Sequence, residues 1–127
     1  MKLAAYNRYC GGLPHATHVV QWGGSHVWKV GGKVFAIAGE DSDGGLSVSF
    51  KCSRLAFEML KDQPGLRPAP YLASRGMSWI QRFAAAAMDD ATFRKYLRES
   101  HRLVAAGLTR KARMEMGFPP DKVQMIS

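Results

Sequence analysis

Hydrophobic alternation is strictest from Leu46 to Cys52, where Leu46, Val48, Phe50 and Cys52 take turns with Ser47, Ser49 and Lys51. A period of two predicts a strand with one buried face, the other turning small hydroxyls and a lysine to water. Upstream, three runs rich in strand formers (17–22, 26–30 and 33–38) are separated by Gly23-Gly24 and Gly31-Gly32. A Gly-Gly pair supplies the positive φ angles that two-residue hairpin turns demand, so these runs predict a three-stranded meander. With Gly31-Gly32 as the second turn, Val30 is expected opposite Lys33, Trp28 opposite Phe35, and His26 opposite Ile37. Trp28, Val30, Phe35 and Ile37 then share the core face, while Lys29, Val34 and Ala36 point away.

Helical spacing governs three other stretches. Leu3, Tyr6 and Cys10 fall near one face of a short helix that Gly11-Gly12 stops. Ser53 is placed to cap a helix reaching about Lys61, with Ala56, Phe57 and Leu60 as its apolar stripe and Leu55 as a further candidate for it. Asp89 and Asp90 precede a long helix, where acidic groups favour a helix N-terminus. Its stripe is Phe93, Leu97, Val104 and Leu108, with Ser100 filling the gap, and Arg94, Lys95, Arg98 and Arg102 cover the remainder.

Between these helices, residues 64–81 read PGLRPAPYLASRGMSWIQ. The first half has no period, and its prolines fix φ and remove donors, so it is expected to lack regular structure. Met77 to Gln81 predicts a further strand, loosely paired with Tyr71-Leu72. Gly117-Phe118-Pro119-Pro120 marks a loose C-terminal tail. The predicted order is α-β-β-β-β-α-β(β)-α: one α+β domain over 1–110, followed by a tail over 111–127.

The 127 residues carry a net charge of +8, and it is spread along the chain rather than held in one tail. Such a balance fits a nucleic-acid or other anionic partner. No apolar run approaches the roughly 18 residues that span a bilayer, and the N-terminus lacks the apolar core of a signal peptide, so a cytosolic location with no membrane partner is expected. Cys10 and Cys52 are too few for a disulfide scaffold and read as reduced, partly buried thiols. His15, His18 and His26 lack the acidic or cysteine partners of a metal site at a suitable spacing. Pairing Cys10 or Cys52 with His15 or His101 would make a nucleophile and base, but nothing in the spacing demands it. The Gly-Gly pairs are not followed by the Lys-Ser/Thr of a phosphate loop. No enzyme, cofactor or metal is therefore expected.

A basic and aromatic set remains: Lys29, Lys51, Arg67, Tyr71, Arg75, Trp79 and Arg82. Cations of this kind contact phosphate oxygens, and aromatic faces stack on bases. DNA is the expected partner, bound without catalysis by a chain taken as a monomer. The alternative is a protein- or peptide-binding module. It would require an exposed apolar patch around Val27, Val34 and Ala36.

The run Trp28-Lys29-Val30-Gly31-Gly32-Lys33-Val34-Phe35-Ala36, then Leu46 to Cys52, then Pro64-Gly65, Pro68, Tyr71 and Trp79, resembles the MmcQ/YjbR-like proteins. The resemblance covers about Cys10 to Leu108. It implies a two-layer α/β sandwich, an antiparallel sheet of 4–6 strands with helices on one face, similar to secretion-chaperone-like and frataxin-like folds. It also implies the DNA-binding role by which that family is usually described.

Overall fold

The computed structural model describes residues 1–41, 45–70, 72 and 76–118. Helix α1 (Leu3–Gly11) leads into β1 (Ala16–Gln21), β2 (Ser25–Val30), β3 (Lys33–Glu40) and β4 (Leu46–Lys51). Then come α2 (Arg54–Leu60), β5 (Leu66–Pro68), β6 (Trp79–Arg82), a 3-10 turn (Ala85–Ala87), α3 (Asp90–Ala106) and α4 (Arg110–Glu115). The strands form one antiparallel sheet in the order β1-β2-β3-β4-β6-β5. The fold is α+β, as the alternating and helical patterns predict.

At the β2–β3 turn, Gly31 and Gly32 have φ of 59° and 80°. Positive φ at both central residues is the hairpin geometry whose twist matches the flanking strands. Val30 faces Lys33 as expected, but the register then shifts between Trp28 and Lys29. Trp28 pairs with Ala36 rather than Phe35, and His26 with Ala38 rather than Ile37. Phe35 is the extra residue of a β-bulge. The shift corrects two expected positions. Ala36 turns under the helices, and Ile37 turns to the opposite face. Small Ala36 and Ala38 thereby lie beneath the helices, while Phe35 stays buried with its ring edge-on to His101, centroids 5.2 Å apart.

All three longer helices pack into one cluster with the sheet. Tyr6 and Cys10 of α1, Phe57 and Leu60 of α2, and Phe93, Leu97 and Val104 of α3 meet Trp28, Val30, Phe35, Phe50 and Ile80 there. Removing such residues from water is the main force holding the layers together. Ser53 and Asp89 cap α2 and α3 as their positions predict, accepting from the Ala56 and Thr92 amides.

The proline-rich stretch departs from expectation. Leu66–Pro68 is an edge strand paired with β6, and the expected partner Tyr71 lies outside the described residues. An edge strand needs donors toward only one neighbour, so Pro68 is tolerated there. The ladder continues through the Ala69 amide, which donates to the Trp79 carbonyl at 2.9 Å. Downstream of α3, a further short helix, α4, is capped by Thr109, and Phe118 packs against His15 at a centroid distance of 5.0 Å. Residues 119–127 lie outside the described residues. No described helix is long and apolar enough to cross a membrane.

Candidate nucleic-acid interface

Side chains at paired positions of neighbouring strands share a face. The charged side chains of the face opposite the helices therefore lie in two rows. One runs Val19, Val27, Ile37, Ser49, Gln81, Arg67 across all six strands. The other holds Thr17, Lys29 and Val34, then Lys51 and Trp79. Neither row contains an acid. Glu40 is the acidic residue of the strands, and it pairs with Leu46 on the helix side.

Lys29, Lys51 and Arg67 thus converge on this face. Lys29 and Lys51 are half-buried, and Arg67 is exposed. Strands two apart are separated by about 10 Å, which sets the spacing of Lys29 from Lys51. Arg67 is held in orientation: its Nε donates to Gln81 Oε1 at 2.7 Å, and its guanidinium lies 4.8 Å from the Phe83 ring centroid. Its terminal nitrogens have no hydrogen-bond partner among the described residues.

Trp79 sits beside Lys51 across the β4–β6 ladder. It is only 4% exposed, and its buried indole N–H has no hydrogen-bond partner among the described residues. Together with Lys51, Lys33, Ile37, Met77 and Trp22 it lines a cleft of about 380 Å³. Trp22 is 63% exposed and has φ of 53°, a left-handed conformation uncommon for a bulky aromatic. The sequence reading treats it as the end of a strand and misses it as a site residue. The available signal is an indole placed directly before a Gly-Gly turn.

Arg82 does not join this set. It lies on the helix side, 2% exposed, with its guanidinium 4.4 Å from the Phe93 ring centroid. Its Nη2 donates to the Ala85 and Met88 carbonyls, each at 3.1 Å, and stands 3.7 Å from Asp90 Oδ1. Arg82 fastens the 3-10 turn to the core and is closed to phosphate. Tyr71 and Arg75 lie outside the described residues.

Other chemistry is sparse at this face. Burial pushes the Cys10 thiol up to about 12 and the Cys52 thiol up to about 11, so both stay protonated and poorly nucleophilic at neutral pH. His18 and His26 contact each other on the helix side, Nε2 to Nδ1 at 3.0 Å, and His18 stacks on Trp28. No group of three metal-ligating side chains occurs among the described residues.

A family model described as YjbR matches residues 11–103. The chain belongs to the YjbR family. A crystal structure of a Deinococcus radiodurans protein with the domain DUF419 superposes with a TM-score of 0.79 at 23% identity, covering 93% of this chain and 89% of that one. A Pseudomonas syringae protein gives a TM-score of 0.65 at 15% identity over 82% of this chain and 99% of its own. At these identities the likeness is one of fold. No curated protein matches. The YjbR match includes Lys29, Lys51, Arg67 and Trp79 and ends before α4.

Proposed function

We propose that this YjbR-family protein binds nucleic acid, DNA in the first instance, through the sheet face opposite its helices and without catalysis. The observation that carries the reading is that face itself: three cations, held by strands or by a side-chain partner, and no acid in either row. Phosphates neutralise such a row, and the absence of carboxylates spares them repulsion. Two buried, unpaired cysteines suit a reducing compartment where nucleic acid is met, the cytosol among them.

The peptide-binding alternative is less well supported. Of its three patch residues, Val27 and Ala36 are fully buried, and the bulge puts Ala36 on the helix side.

Fluorescence anisotropy of labelled DNA, titrated at salt concentrations from roughly 50 to 200 mM, tests the proposal. Three phosphate contacts predict that log affinity falls with log salt at a slope of about −2 to −3. Lys51→Glu with Arg67→Glu should weaken binding at least tenfold, about 1.4 kcal/mol, and flatten that slope. Binding that ignores salt, or none at the lowest salt, would overturn it.

A further inference from the structure

We infer that the cleft beside Trp79 seats one unpaired base, so that the protein prefers single-stranded or locally opened nucleic acid and favours thymine or uracil. The inference rests on the nucleic-acid reading above and assigns it a kind of strand. Trp79 is too buried for its ring to meet the surface of an intact duplex, whose bases are stacked and show only their edges. An extruded base has no such restriction. The cleft, about 380 Å³, falls within the range of roughly 300–1,000 Å³ usual for small-ligand sites. Its walls suit a flat ring: Trp22 and Trp79 are aromatic, and Val34, Ile37 and Met77 are apolar. Base–aromatic stacking is the common device of proteins that hold single strands. Lys33 and Lys51 line the same cleft and supply cations for the phosphates flanking a seated base.

Base preference follows from the donors. The indole N–H of Trp79 is buried and unpartnered among the described residues, so it lacks an acceptor that a ligand can bring. Lys33 and Lys51 also only donate. No described side chain lining the cleft offers a carboxylate, amide or hydroxyl oxygen. A base edge rich in carbonyl oxygens matches this lining. The exocyclic amino group of adenine or cytosine would find no side-chain acceptor among the described lining residues and would lose the hydrogen bonds it makes to water.

The test compares labelled homo-oligomers of dT, dC and dA of equal length, and a duplex of the same length, at one low salt concentration. Oligo-dT is expected to bind about tenfold or more tighter than oligo-dA, oligo-dC or the duplex, and to quench tryptophan fluorescence. Trp79→Phe keeps a ring but removes the donor, and should cut the dT preference severalfold while leaving the salt slope intact. Trp22→Ala alters an exposed turn residue and should weaken oligo-dT binding with little change for duplex. It serves if Trp79→Phe fails to fold. Equal affinity for all four probes, or a duplex preference, overturns the cleft assignment and leaves the nucleic-acid reading standing. Binding to none of them overturns both.

Discussion

A hydroxyl in the core stripe of α3 joins two backbones that the sheet ladder leaves apart. Ser100 Oγ donates to the Phe35 carbonyl at 2.6 Å and accepts from the Lys51 amide at 2.9 Å. Both groups lie just beyond the Ala36–Phe50 pair at which the β3–β4 ladder ends, and Ser100 is fully buried. Ser100→Ala would leave a buried donor and a buried acceptor unpaired, which costs about 1–3 kcal/mol each in the usual case. Urea unfolding should therefore show a loss of about 2–6 kcal/mol, read as a lower midpoint at unchanged slope. A loss below about 1 kcal/mol would mean that other partners reach these two groups. The same residue marks a limit of sequence reading. Its place in the stripe is legible from helical spacing, but its bonds depend on where the β3–β4 ladder ends, which spacing does not encode.

At the scale of elements, strict alternation and glycine turns made β1 to β4 and the Val30–Lys33 pairing readable. The bulge was not, because two-residue periodicity assumes an uninterrupted ladder, and Phe35 is apolar on either reading. The edge strand β5 escaped because three residues carry no period and two prolines flank it. The candidate face was legible in part. Lys29, Lys51, Arg67 and Trp79 share a face because of strand parity, whereas Arg82 follows the same parity into the core. The cleft walls from Trp22, Leu72 and Met77 come from turns and loops, whose side-chain directions no periodicity gives. The β2–β3 turn offers a direct check. An added Cβ at Gly31 would fall 2.6 Å from Leu108 Cδ1, whereas at Gly32 nothing lies within 4 Å. Gly31→Ala and Gly32→Ala both pay the left-handed penalty of about 1–2 kcal/mol. Only the former also pushes against Leu108, just beyond α3. Thermal melts should place Gly31→Ala below Gly32→Ala, and equal melting temperatures would show that Leu108 simply moves aside.

Across the whole molecule, the ion pairs between side chains of one helix are found away from the sheet face. On the helices, acids sit beside bases: Glu58 with Lys61 and Arg54, Glu99 with Arg102, and Lys111 with Glu115. The sheet face keeps Lys29, Lys51 and Arg67 without acids, so it holds part of the net charge of +8. His101 ties the ends of the chain together on the helix side. Its Nε2 donates to the Pro14 carbonyl at 2.8 Å, and its ring packs against Phe35 and near Phe118. Burial lowers its pKa; the bond to Pro14 opposes that shift, and nearby His15 adds to it. The folded state thus holds His101 neutral below the value of about 6.5 that it has when unfolded. Its contribution is complete above that pH and is lost as pH falls toward the folded value, because only the unfolded chain takes the proton readily. Chemical denaturation between pH 7 and pH 5 should show stability falling by up to about 1.4 kcal/mol per pH unit. Those conditions stay above the carboxylates of Glu58, Asp89 and Glu99, whose pKa values are lowered. His101→Gln keeps an N–H donor for Pro14 but cannot titrate. It should start less stable and decline less over this range, and an undiminished decline would place the titrating group elsewhere.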